Sequence, residues 1–446
     1  MSEIPSQLPQ GQTIRLVGSG ATGIVGQVVG AGGQGAVYIC DVGGRRLALK
    51  WYHPNVVRQD VTVRQRIARL VELGPPDNRY LWPIDLAEVP GRAEFGYVMP
   101  LMSGDRRPLK DIIVAPPRRL ELTLEARATA CFEVADSFQT LHAKGFCYQD
   151  VNFGAFFVDP IRGSILICDA DNITVDGQLG GVYGTRKFMA PEVVRREAIP
   201  SMKTDLYSMA VLFFYIIFGW HPLDGRREAE TVTLDAAAER KLYGTEPLFL
   251  FDPVNPANGP VPHHHDWIVA RWKAMPHALR DLFTRSFTAG LTDANSGRVI
   301  ETEWRNILAR LRDAVTRCPG CGFETPVDGE MQTMPTCSAC GQAVPRPTRM
   351  SLARYLIAIL PGHELYPHHV SAGAAVGLSE PVGRIDQHPT NPAIIGLHNL
   401  THNPWSGQLR DGSTVTVAPD RTVRIVDGLD IDFGGRHGTI ADADHV

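Results

Sequence analysis

Apolar runs are short in this sequence. The longest, Met209 to Trp220, is 12 residues, against the ~18 or more needed to cross a bilayer. It reads as a buried core helix, and no membrane partner is expected. The start, Met1-Ser2-Glu3-Ile4-Pro5, lacks the basic residues and apolar stretch of a signal peptide. There is no excess of one charge: 44 Lys and Arg against 48 Asp and Glu leave a net −4, with both signs dispersed. No nucleic acid or charged membrane surface is therefore expected as a bulk partner. Cysteine is sparse, eight residues in all, four of them in two CxxC pairs. A disulfide framework does not suit so long a chain with no export signal, so the expected compartment is a reducing cytoplasm. Internal repeats and low-complexity tracts are also missing.

What remains is an ordinary globular composition, 44% hydrophobic and 21% charged. The 446 residues have room for two to four domains at ~100–200 residues each. Composition divides them into four segments. Residues 1–11 are polar and proline-bearing, a flexible tail. Residues 12–313 begin with strand-like stretches such as Leu47-Ala48-Leu49-Lys50 and turn mostly helical from Leu122 onward. Residues 314–345 hold the CxxC pairs. Residues 346–446 are a Pro/Arg linker and a β-rich domain. In that last part Val415 and Val417, Val423 and Ile425, then Leu429, Ile431 and Phe433 alternate with polar neighbours. With Asp411-Gly412 and Asp427-Gly428 as turn signals, the period of two predicts antiparallel hairpins.

Gly30-Ala31-Gly32-Gly33-Gln34-Gly35-Ala36-Val37 fits GxGxxGxV, a flap whose backbone can close over phosphates because no side chains intervene. Gly18-Ser19-Gly20-Ala21-Thr22-Gly23 fits GxGxxG equally well, and spacing separates the two. Thirteen residues after Val37, Lys50 ends a strand; the earlier glycines open no helix and read as a turn. Glycine flap, Val37 and the Ala48–Lys50 strand together resemble the nucleotide-binding end of protein kinases, and that resemblance implies that Lys50 pairs with the phosphates of ATP. A kinase next needs a helix carrying a glutamate for this lysine. Val61 to Leu73 is helical in pattern, but its register offers Gln65 or Arg66, and Glu72 comes one or two turns late. Phe95-Gly96-Tyr97-Val98-Met99-Pro100 resembles the hinge strand, with Met99 at the adenine edge.

Tyr148-Gln149-Asp150-Val151-Asn152 aligns with the kinase catalytic loop. The resemblance puts Asp150 at the catalytic aspartate and Asn152 beside the nucleotide. Gln149 replaces the usual arginine, and Ala155 stands where a metal-binding asparagine belongs. Cys168-Asp169-Ala170-Asp171-Asn172 aligns with the metal motif, Asp169 taking the magnesium (or manganese) ion. Asp171, helped by Asn152 or Asn172, supplies the missing oxygen ligand, or else Asp171 and Asn172 only make a turn. Gly184-Thr185-Arg186-Lys187-Phe188-Met189-Ala190-Pro191-Glu192 matches the activation-segment end. Asp205 then suits the residue that ties down the catalytic loop, and Arg298 the late partner of Glu192. Thr174, Tyr183 and Thr185 are candidate phosphoacceptors.

Cys318-Pro319-Gly320-Cys321 and Cys337-Ser338-Ala339-Cys340 stand 15 residues apart. Four thiolates on two tight turns suit a tetrahedral structural zinc, which would supply the folding energy of a segment too short for its own core. Cys40, Cys131, Cys147 and Cys168 read as buried small hydrophobes. His263-His264-His265 and His368-His369 read as solvated loops. The stretch from Gly396 to Trp405 resembles forkhead-associated or similar β-sandwich modules, which implies protein recognition.

The expected class is α+β: a bilobal protein kinase fold, then a zinc ribbon and an antiparallel β domain. The layout resembles bacterial Ser/Thr kinases encoded beside von Willebrand A proteins and metal-dependent phosphatases in tellurite-resistance-type neighbourhoods. The resemblance implies phosphoryl transfer from ATP to a partner protein, opposed by the phosphatase. The alternative is a pseudokinase, a nucleotide-responsive scaffold working through the ribbon and β domain. Ala155, Gln149 and the missing helix acid favour it; joint retention of Lys50, Asp150 and Asp169 favours catalysis. Small-molecule phosphotransfer is disfavoured by the Glu192–Arg298 pair, which marks a protein-substrate platform.

Overall fold

A computed structural model describes residues 8–102, 104–327 and 334–442. In strand β1 (Thr13–Leu16) apolar and polar residues alternate, and the period of two buries Ile14 and Leu16 on one face. It opens a closed barrel with β2 (Thr22–Ala31), β3 (Gly35–Val42), β4 (Arg45–Tyr52), β5 (Asp85–Glu88) and β6 (Phe95–Pro100), in the order β1-β2-β3-β4-β6-β5. Pairing of β4 with β3 and β6 sets Lys50 opposite Val37 and Tyr97, and Ala48 opposite Met99. Of the expected tail, residues 1–7 lie outside the described residues. Leu8 is fully buried in the barrel and the Gly11 amide bonds to the Val25 carbonyl, so the ordered chain starts earlier than residue 12. The Gly18–Gly23 turn joins β1 to β2, and its Gly18 and Ser19 amides donate to the Asp85 carboxylate at 2.7 and 2.8 Å.

Below the barrel the chain is helical. Helix Leu124–Ala143 starts at Thr123, whose hydroxyl accepts from the Ala126 amide. Helix Met202–Phe218 is apolar all round from Met209 onward, which marks that part as buried in the core. Ser201 and Thr204 cap its start reciprocally, and Gly219, at φ +75°, ends it. One continuous core runs from Ala48 to Val315.

The C-terminal region forms two antiparallel sheets that share one core, including Met350, Leu352, Ile385, Leu397, Trp405 and Ile431. Asp411-Gly412 closes a hairpin of Trp405–Gln408 with Thr414–Val417. Asp427-Gly428 does not make the expected hairpin. Thr422–Arg424 pairs in the four-stranded sheet and Asp430–Asp432 in the six-stranded one, so the chain changes sheets there. The sequence signal for a turn is the same in both cases; only packing decides where the next strand pairs.

His368 and His369 are buried, not solvated. His369 Nε2 lies 3.2 Å from Asp313 on helix Glu301–Asp313, joining the β region to the helical core. Of the earlier triplet, His265 is also buried, its Nδ1 accepting from the Val261 amide. Burial, then the neighbouring His369, lowers the His368 pKa to about 4. His142 moves the other way. Burial opposes its charge, but hydrogen bonds to Asp205 and Glu301 outweigh this and raise it to about 9. With an unfolded value near 6.5, His142 contributes in full below pH ~6.5 and loses its contribution as pH rises toward 9. His368 costs stability as pH falls from ~6.5 toward 4. Each slope is at most about 1.4 kcal/mol per pH unit. The melting midpoint is expected to peak near pH ~6.5, with His142→Gln flattening the alkaline flank and His368→Phe the acid one. Unchanged flanks in both variants would remove these histidines from the pH response.

Candidate active site

Lys50 reaches the cleft between barrel and helices from the end of β4 and is 6% exposed. Its Nζ donates to Asp171 Oδ2 and Oδ1 at 2.8 and 2.9 Å, to Asp169 Oδ1 at 3.1 Å and to Gln34 Oε1 at 3.2 Å. Burial works against the ammonium charge, but Asp171 and then Asp169 outweigh it and hold the pKa up. Asp171 is 2% exposed and also accepts from the hydroxyls of Tyr52 (2.7 Å) and Tyr97 (3.4 Å). Burial raises its pKa, yet Lys50 and these bonds leave it below the usual carboxylate value.

The expected role of Asp171 as a metal ligand is therefore not the one its surroundings provide. Both of its oxygens are engaged by Lys50 and tyrosines. It stands where the lysine lacked an acid, because helix Val63–Leu73 turns Arg66 toward this point. Arg66 Nε donates to the Asp171 carbonyl at 3.3 Å and its guanidinium pairs with Asp60. Glu72 instead pairs with Arg69 on the surface. Tyr52 and Tyr97 were missed from sequence. For Tyr52 the signal was present, since it shares a strand face with Lys50, two residues on; Tyr97 is brought opposite Lys50 only by the pairing of β4 with β6.

Asp169 adopts φ +51°, a left-handed backbone rare for a non-glycine residue. Its side chain is 38% exposed toward the cleft, which leaves carboxylate surface for a cation. Asn152 does not face it in support. Asn152 Nδ2 donates to the Asp150 carbonyl and its Oδ1 accepts from the Gly154 amide, both at 2.9 Å, so its side chain shapes the loop. Asn172 is buried, its Oδ1 accepting from Gln34 Nε2 at 3.2 Å. Ala155 is fully buried.

Asp150 Oδ1 accepts from the Thr185 hydroxyl at 2.7 Å. Burial, with Asp169 adding, raises its pKa against the pull of Thr185. The loop backbone is fixed from below by Asp205, which accepts from the Tyr148 amide at 2.5 Å and the Gln149 amide at 3.0 Å. Gln149, at φ +69°, donates to the Gln178 carbonyl at 2.6 Å and accepts from the Gly180 amide at 2.8 Å. A neutral amide thus holds the activation segment by its backbone, where an arginine would need a phosphate. Arg298 Nη2 meets both Glu192 oxygens, at 2.7 and 2.8 Å.

Thr174 is buried in a strand pair with Cys147, inaccessible as a phosphoacceptor. The ring of Tyr183 lies 3.8 Å from the Arg196 guanidinium. In the glycine flap, ideal Cβ atoms at Gly30 and Gly32 would meet nothing within 4 Å, whereas one at Gly35 would strike the Trp51 carbonyl at 2.2 Å. Gly35 is therefore needed for strand packing, and the other two leave the flap bare.

The sulfurs of Cys318, Cys321, Cys337 and Cys340 lie within 4.8 Å of one another and could hold a metal ion. The two knuckles are built alike. Gly322 donates to the Cys318 carbonyl and Gly341 to the Cys337 carbonyl, both at 2.8 Å, and both glycines have left-handed φ, +73° and +74°. No helix among the described residues is long and apolar enough to cross a membrane.

The protein kinase domain family matches residues 23–258. The rice (Oryza sativa subsp. japonica) CBL-interacting protein kinase 4 is 29% identical over 216 residues, 46% of this chain and 46% of that protein. Protein kinase YegI of Escherichia coli K12 is 25% identical over 313 residues, 66% of this chain and 45% of its own length. Serine/threonine-protein kinase pkn2 of Myxococcus xanthus is 24% identical over 219 residues, 44% and 24% respectively. The chain spans less than half the length of each of these relatives.

Proposed function

The chain belongs to the protein kinase domain family, and on that premise we propose that it transfers the γ-phosphoryl group of ATP to a serine or threonine of a partner protein. The observation that carries this reading is the assembly of Lys50, Asp169 and Asp150 on one cleft, with a threonine hydroxyl already bonded to Asp150 at 2.7 Å. An acceptor hydroxyl would make the same contact. Phosphoryl transfer asks a protein mainly for positioning and charge stabilisation.

Lys50, fixed by Asp171, orients the ATP phosphates beneath the flap of Gly30, Gly32 and Gly35. Val37, Ala48 and Met99 border the base. Asp169 holds magnesium, which neutralises phosphate charge when bound. Asp150, its pKa raised by burial, accepts the acceptor hydroxyl's hydrogen bond. Glu192 with Arg298 and Asp205 keep the segment and the loop in place. Cys318, Cys321, Cys337 and Cys340 hold a structural zinc. The β-rich domain, residues 346–446, recognises a protein. The gene-neighbourhood resemblance supports a von Willebrand A protein as substrate and a metal-dependent phosphatase as the opposing enzyme, in the cytoplasm.

Transfer from labelled ATP with magnesium or manganese tests this. Asp150→Ala is expected to lower the rate by about 10²–10⁴-fold, with magnesium-dependent ATP binding retained. The pseudokinase reading is favoured by one observation, Ala155 at the second metal position. ATP-induced stabilisation lost in Asp169→Ala, together with no transfer by the wild type, would establish it instead.

A further inference from the structure

A cavity of about 460 Å³ lies at the C-terminal end of helix Met202–Phe218, away from the Lys50 cleft. Its other walls are the start of helix Leu124–Ala143, the end of helix Asp266–Ala274 and the strand Glu324–Pro326 of the four-cysteine segment. Two arginines line it. Arg127 is 8% exposed and donates only to carbonyls, from Nε to Leu122 at 3.0 Å and from Nη1 to Ile216. Arg271 donates at 3.5 Å to the Ile217 and Phe218 carbonyls. Among the described residues neither forms an ion pair with a carboxylate. Burial, and then Arg271, lowers the Arg127 pKa to about 10.

Among the described residues the other charged groups of the lining form no ion pair with them. Arg317 and Glu324 face each other at 3.8 Å, and Glu324 also accepts from the Glu125 amide. Glu121 is exposed. The Thr325 hydroxyl is buried and has no hydrogen-bond partner among the described residues. Leu122, Leu124, Ile217, Met275 and Phe323 make the remaining wall apolar.

The two guanidiniums repel, and Arg127, the buried one, is costly to bury without an anion. A bound anion relieves both, and the apolar wall calls for an apolar body behind it. The volume lies within the roughly 300–1,000 Å³ usual for small-molecule sites. We propose that this cavity binds an organic carboxylate of medium-chain fatty-acid size, its head group on Arg127 and Arg271 and its chain on the apolar wall.

Calorimetric titration of the full chain with decanoate, and with 1-decanol as the uncharged counterpart, tests the site. One saturable site for decanoate is expected, weakened by at least about tenfold in Arg271→Met, the loss of a charge-assisted bond, and lost in Ala274→Trp, which fills the space. 1-Decanol is expected to bind at least as weakly as decanoate does to Arg271→Met. Arg271 makes only long hydrogen bonds, so its replacement endangers folding least, and Ala274→Trp asks the question independently. No saturable binding of decanoate, equal binding of 1-decanol, or affinity unchanged in both variants would overturn the proposal.

Discussion

Asp171→Ala is expected to lose phosphoryl transfer by about 10²-fold or more, the usual effect of misplacing a positioning group by an ångström, and to lower stability as well. The replacement leaves Lys50 buried with Asp169 as its remaining carboxylate and frees the hydroxyls of Tyr52 and Tyr97. Breaking a buried pair from one side costs about 3–5 kcal/mol; Asp169 keeps this case near the lower end. Asp171→Asn preserves shape but removes the charge and turns one acceptor of Lys50 and a tyrosine into a donor, so it separates packing from polar interactions. Glu72→Ala is the control, since Glu72 pairs with Arg69 at the surface and such pairs contribute about 0–1 kcal/mol. Steady-state kinetics in ATP, with melting midpoints, check this. An Asp171→Asn protein with unchanged kcat and KM for ATP would mean that Lys50 finds its working partner elsewhere, and a defect in Glu72→Ala would name it.

Metal removal is expected to have the larger effect on folding. Among the described residues of 314–345, the buried cluster separate from the main core is small and is built around Cys318, Val327, Cys337 and Val344. A structural zinc typically contributes an apparent ~10–16 kcal/mol, far more than that cluster can. One zinc per chain is expected by metal analysis. A strong chelator, or Cys337→Ser, should release it and open the segment to proteolysis while the helical core resists. The strands Val315–Arg317 and Glu324–Pro326 should separate, and decanoate binding should disappear with the wall they provide. A chain purified without zinc, equally protease-resistant with and without Cys337→Ser, would exclude this role.

How the chain would be controlled follows from the same geometry. Gln149 holds Gln178 and Gly180 directly, so no phosphate is needed to fix that part of the activation segment. Thr174, buried against Cys147, is withdrawn from modification. Regulation would then act through other surfaces, and the contacts of Arg312 with Glu125 and Glu364, at 2.9 and 3.6 Å, link the β region to the helical core directly.

Some of this was determined by the sequence alone. The spacing from the glycine flap to Lys50, the order of Asp150, Asp169, Glu192, Asp205 and Arg298, and the paired CxxC knuckles are local patterns. Each depends on a turn or on one strand or helix, whose geometry repeats over a few residues and leaves a readable period. The tertiary structure alone decided the rest. Lys50 and Asp171 are 121 residues apart in the chain, and no period links a β4 lysine to the third residue of the metal motif. The pattern around Asp427-Gly428 could not say which sheet the next strand would join. Nor could His368-His369 announce that helix Glu301–Asp313 would cover it. These outcomes depend on which surfaces meet when separate elements pack, and that is set by the shape and burial of the whole chain.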